Sequence, residues 1–133
     1  MSEFFIDSTI WIEFFRGKNK VVNDFVLPLI DEDRIHYNGI ILSELLIGAT
    51  TEKEFNFLKS NFDGFKYLET DKNIFKKASR VGFRLRREGI TIPLTDLIIA
   101  AHCIHYDLTI ITTDPHFKLI NKKLNLKLKF FKV

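Results

Sequence analysis

The stretch "IPLTDLIIAAHCIHYDLTIITTDPHF", residues 92–117, decides how the chain folds. Its first half carries apolar residues at helical spacing over 95–106. Its second half, "LTIITT" (108–113), is a short β-branched run bounded by Asp residues, which reads as a buried strand. Within it Asp96 heads the apolar run behind Pro93 and Thr95. An acid in a first helical turn complements the positive end of the helix dipole, and Thr95 just before it can serve as the N-cap.

The same alternation extends outward in both directions. "EFFID" (3–7) is a short apolar strand ending in an acid, and "STIWIEFFRG" (8–17) opens with a Ser that can cap a helix and closes on a Gly that can end one. Helical patterns follow over 20–33, with Pro28 a kink, over 39–50, from the capping box "TEKE" (51–54) onward, and over 71–88. "IHYN" (35–38) and "FKYLE" (65–69) are short strands between helices, and "NLKLKFF" (125–131) is the last strand. Strands alternating with helices imply crossover connections. The fold class is therefore α/β, a mostly parallel sheet of four or five strands covered on both faces.

Composition sets the bounds. At 133 residues, with 46% hydrophobic and 28% charged residues and no repeat or low-complexity linker, the chain is expected to form one domain spanning 1–133. No apolar run is long enough to span a bilayer, and "MSEFFID" lacks the basic start of a signal peptide, so a cytoplasmic protein is expected. The lone Cys103 can form no internal disulfide and reads as a small core residue. A net charge of +3 conceals a skewed distribution. Residues 76–89 hold six basic residues to one acid, and the tail beyond Asp114 holds six Lys and no acid. Solvation, or Lys protection of an edge strand, accounts for these as well as nucleic-acid contact does.

Four acids stand apart. Ligands of parallel sheets gather beyond the carboxyl ends of the strands. Asp7 ends the first strand there, Asp114 follows "TIITT", and Asp96 opens a helix along that edge. Glu44 lies in "IILSELLIGA" (40–49), where a narrow polar stripe shared with Ser43 is the alternative to a functional role. If the four converge, they cannot all stay ionised without a cation. Mg²⁺ or Mn²⁺ prefers carboxylate and water oxygens, and the chemistry such ions support at a phosphate is phosphodiester hydrolysis. Other schemes fit worse. The chain has no phosphate-cradling Gly-rich loop, no H-E-x-x-H pair among its four His and too few Cys for a structural zinc site.

"FFIDSTIWIEFFRG", "ILSELLIGA" and "IPLTDLIIAAHCIHYDLTIITTDPHF" resemble, in order and spacing, the successive acidic motifs of PIN-domain nucleases, most closely the small VapC-type toxins of toxin–antitoxin systems. The resemblance covers essentially the whole chain. It implies a PIN fold, an α/β/α sandwich, and Mg²⁺- or Mn²⁺-dependent cleavage of RNA. Carried over residue by residue, Asp7, Glu44, Asp96 and Asp114 match the acidic positions, and Thr112 matches a polar residue that supports the site. Asp-Ser-Thr stands where the family commonly has Asp-Thr-Ser or Asp-Ser-Ser, so Ser8 and Thr9 both keep a hydroxyl beside Asp7. With Thr95, Ser8 and Thr112 are the expected supporting residues.

The expected function is thus a metal-dependent endoribonuclease acting as a toxin, and a non-catalytic PIN-like module binding RNA or protein is the alternative. Arg80, Arg84, Arg86 and Arg87 are the expected RNA contacts, through the phosphate backbone. His116 is left open between substrate contact and solvation. The 14 Phe, with Trp11, Phe14 and Phe15 following the first motif, point to covered surface: a homodimer and a cognate antitoxin.

Overall fold

The computed structural model describes residues 2–132. Five strands, β1 (Phe4–Ile6), β2 (Ile35–Tyr37), β3 (Lys66–Tyr67), β4 (Thr109–Thr112) and β5 (Lys127–Phe130), alternate with seven helices: α1 (Ser8–Arg16), α2 (Lys20–Asp31), α3 (Gly39–Ile47), α4 (Glu52–Phe62), α5 (Lys72–Arg87), α6 (Leu94–His105) and α7 (His116–Ile120). The sheet order is β3-β2-β1-β4-β5 and every pairing is parallel. Helices flank the sheet in an α/β/α arrangement, with α1 against α2 and α3, α3 against α4, and α5 against α6, which also packs on α7.

Local chemistry sets most helix ends. Asn19, Asn38, Thr51 and Asp71 cap α2, α3, α4 and α5 by accepting from the N–H three residues on. The Thr51 hydroxyl accepts from the Glu54 N–H at 3.1 Å, half of the capping box; the Glu54 carboxylate, however, takes the Thr50 hydroxyl. Gly17 closes α1 with φ 70°, a left-handed conformation that glycine adopts without penalty. α2 runs through Pro28.

Two expected caps move. α6 starts at Leu94 with Pro93 at the N-cap position, and Thr95 is an exposed residue inside the first turn. The carbonyl of Pro93 accepts from the Asp96 N–H at 3.1 Å, so proline's fixed backbone, not a hydroxyl, begins the helix. Ser8 is likewise the first helical residue of α1, and Asp7 holds the cap position.

The core explains the aromatic load. Phe5, Trp11, Phe62 and Phe117 are fully buried. Trp11 stacks on Phe15 and Phe65 and meets Phe14 and Phe62 edge-on. The expectation that Trp11, Phe14 and Phe15 form partner surface is corrected for Trp11: its neighbours inside the chain cover it completely. α6 is buried from Asp96 to Cys103, because it is sandwiched between the sheet and α5. Gly82 of α5 permits that contact, since a Cβ there would stand 2.6 Å from Leu97 Cδ1. Among the described residues no helix is long and apolar enough to cross a membrane.

Candidate active site

The sheet order reverses beside β1: the chain leaves it toward β2 and β3, then returns to its other side as β4. In parallel sheets a crevice opens at such a switch point, beyond the carboxyl ends of the strands. Asp7 follows β1 there and Asp114 follows β4 two residues on.

Asp7 is buried, and hydrogen bonds from two elements hold it. Its Oδ2 accepts from the Thr112 hydroxyl at 2.7 Å and the Thr9 hydroxyl at 3.0 Å. The Thr112 hydroxyl in turn accepts from the Asp114 N–H at 2.9 Å, so one side chain ties the two acids together across the β1–β4 pair. Ser8 contributes its backbone N–H, while Thr9 supplies the hydroxyl. A helix starting at Ser8 turns the second residue after the acid back over it. Burial pushes the Asp7 carboxyl above its ordinary range, the three donors hold it down, and the charge of Asp114 adds to the rise.

Asp96 arrives from the first turn of α6. Its Oδ2 lies 2.9 Å from His116 Nδ1, and the same nitrogen lies 3.2 Å from Asp114 Oδ1. Burial, then the charge of Asp114, raises Asp96 to about 6; the bond to His116 opposes the shift. Glu44 joins from α3. It is half-buried, and its Oε1 is buried without a hydrogen-bond partner among the described residues. Burial and then the charges of Asp7, Asp96 and Asp114 push it up to about 7.

Four carboxylates from four segments therefore share one electrostatic neighbourhood, and one imidazole cannot neutralise them. An oxygen-rich donor set with an orphaned buried carboxylate oxygen is the environment a hard divalent cation requires. Asp96, Asp114 and His116 each offer a ligand atom within 4.8 Å of the others. His116 is the side chain that the sequence reading left unplaced. Its only signal was position, two residues beyond Asp114.

The remaining expectations separate from this cluster. Thr95, expected to steady the site, is exposed on the first turn of α6, and its side chain makes no hydrogen bond to Asp96 among the described residues. Arg80, Arg84, Arg86 and Arg87 are exposed on α5, and none pairs with a cluster acid among the described residues. His102, by contrast, is a core residue: fully buried, bonded through Nδ1 to the Thr70 hydroxyl at 3.0 Å, and lowered by burial to about 4.

The profile of the PIN domain matches residues 4–123, which includes all four acids. The chain belongs to the PIN-domain family. Similar PIN proteins include the VapC ribonuclease Mb1587 of Mycobacterium bovis and ribonuclease VapC11 of Mycobacterium tuberculosis. Each is 30% identical over 131 residues, covering 96% of this chain and 98% of the relative. Among solved structures, the DNA-bound VapBC of Salmonella typhimurium matches with a TM-score of 0.81 at 19% identity, covering 98% of both chains. VapBC2 of Rickettsia felis, bound to a promoter DNA fragment, gives 0.80 at 20% identity over 97% of this chain and 98% of that one. These likenesses show that the five-stranded parallel sheet is the PIN fold.

Proposed function

We propose that this PIN domain is an Mg²⁺- or Mn²⁺-dependent endoribonuclease, working in the cytoplasm as the toxin of a toxin–antitoxin pair. The observation that carries the reading is the convergence of Asp7, Glu44, Asp96 and Asp114 at the sheet's switch point, with Glu44 Oε1 buried and without a partner among the described residues. The names of its relatives support the substrate: VapC proteins 30% identical across nearly the whole chain are ribonucleases.

The four carboxylates would hold the cation. When bound, a divalent ion neutralises phosphate charge and makes a water more acidic. The chain's own residues do the positioning. Thr112 and Thr9 fix the Asp7 carboxylate, Thr112 aligns Asp114 through its N–H, and the buried run of α6 keeps Asp96 to the tolerance a metal site needs. The cations of α5, Arg80, Arg84, Arg86 and Arg87, would draw the RNA backbone by counterion release.

The matching solved structures are VapBC complexes, which supports an antitoxin as partner. A groove of about 520 Å³ between α1, α3 and α4, lined by Ile12, Phe15, Leu45 and Phe57 and bordered by Glu44, is apolar surface suited to one. Exposed Phe75, Phe83 and Leu94 supply further apolar surface for a homodimer.

The test is cleavage by purified protein, with the product ends identified. Water-mediated displacement leaves a 5′-phosphate and a 3′-hydroxyl, whereas attack by the substrate's own 2′-hydroxyl leaves a cyclic phosphate. The expected products are 5′-phosphates, formed also at a 2′-deoxy cut position and stopped by EDTA. Asp7→Asn should lower the rate by about 100-fold or more and leave RNA binding in EDTA intact. Cyclic-phosphate ends formed in EDTA would overturn the mechanism, and RNA bound but never cut would favour a binding module.

A further inference from the structure

One nitrogen faces the acid cluster. His116 Nδ1 lies 2.9 Å from Asp96 Oδ2 and 3.2 Å from Asp114 Oδ1, and the backbone N–H of His116 already donates to that same Asp114 oxygen at 2.9 Å. A ring proton can point at only one carboxylate at a time, so as a hydrogen-bond donor this imidazole leaves one contact poorly served. The 2.9 Å contact serves as an ordinary hydrogen bond, and the two separations together also fit a second role. Two donors about 2.1 Å from a common ion at right angles stand about 3.0 Å apart, which is the edge of an octahedral shell. Both separations match that edge, and all three ligand atoms fall within 4.8 Å of one another.

Resting on the metal reading above, we infer that His116 is a nitrogen ligand of the centre, binding the cation through Nδ1 beside Asp96 and Asp114. The donor set is then no longer all oxygen. Mn²⁺ shares with Mg²⁺ a preference for carboxylate oxygen, but as a first-row transition ion it accepts an imidazole nitrogen more readily than Mg²⁺, which gives up its water reluctantly. His116 thereby biases the site toward Mn²⁺ over Mg²⁺. It also distinguishes this chain from a site built of carboxylates alone, where no such bias arises from the ligands.

The other histidines lie elsewhere in the fold. His36 pairs with Glu3, His102 bonds Thr70, and His105 packs on Tyr106, so a nitrogen signal from bound metal can be assigned to His116.

The experiment is pulsed electron paramagnetic resonance on the full chain loaded with Mn²⁺, joined to calorimetric titration with Mn²⁺ and with Mg²⁺. The wild type should show the nitrogen modulation of a directly bonded imidazole. In His116→Asp and His116→Gln the modulation should vanish, and the preference for Mn²⁺ over Mg²⁺ should shrink by about tenfold. Bound Mn²⁺ without nitrogen coupling in the wild type, or a preference unchanged in both variants, would overturn the inference while leaving the carboxylate site intact. Failure of the wild type to bind Mn²⁺ at all would overturn the metal reading itself, and this inference with it.

Discussion

Glu44 is the residue on which the electrostatics of the site concentrate. Its carboxyl rises from 4.5 to about 7 because burial and three neighbouring acids disfavour its charge. The unfolded chain gives up that proton near 4.5 and the folded chain near 7, so between those values the folded state binds more protons. The associated stability is present below pH 4.5 and is lost as the pH rises to about 7. Buried His102 acts oppositely: its folded value near 4 lies below the ordinary 6.5, so its stability is lost as the pH falls through that window. Comparison with Glu44→Gln separates the two, since His102 is common to both proteins. In EDTA, the melting temperature of the wild type relative to Glu44→Gln should decline as the pH goes from 4.5 to 7. A difference flat across that range, by calorimetry, would mean that the four acids are not coupled through Glu44.

Among the elements, α5 and α6 begin by different means, and the difference can be measured. Asp71 caps α5 by accepting from the Ile74 N–H at 3.0 Å, while α6 begins on Pro93 with Thr95 exposed and uninvolved. Asp71→Ala should therefore cost about 1 kcal/mol, a few degrees in melting temperature for a chain of this size. Thr95→Ala, at a surface position without a bond, should stay within about 0.5 kcal/mol of wild type. Chemical denaturation of both variants gives the answer, and equal losses would restore Thr95 as the cap. The packing of α5 on α6 through Gly82 and Leu97 also has a bearing on the site, because Leu97 neighbours Asp96 on the same turn.

For the whole molecule, metal binding and folding stability should be linked. A ligand bound only by the native state stabilises it by about 2.7 kcal/mol at a hundredfold excess over Kd, and here it also relieves repulsion among acids that now raise one another. Millimolar Mg²⁺ or Mn²⁺ should raise the melting temperature of the wild type, and Asp96→Asn should lose most of that rise. A wild-type curve unmoved by either ion would show that the carboxylates do not act together. The linkage works across the fold because the site joins β1, α3, α6 and the loop after β4, so unfolding any of them dismantles it.

The alternation of strands and helices, the position of Asp7 and Asp114 after strands and of Asp96 at a helix start were readable from sequence alone. Each depends on periodicity and turn residues within about ten positions of chain, which is where such signals reside. The contacts that complete the site join distant segments. Thr112 reaches Asp7 across 105 residues, and His116 reaches Asp96 across 20, because β4 inserts beside β1 and α6 packs against the sheet. Glu44 resolved the same way: in sequence it is a charge on an apolar helix, and only the packing of α3 leaves its Oε1 buried and without a partner among the described residues. Trp11 went from apparent surface to core, since its aromatic neighbours Phe62 and Phe65 come from a distant part of the chain. A side chain's chemistry is set locally, but its desolvation and its neighbours' charges are set by the order in which strands pair, and no short window of sequence contains that order.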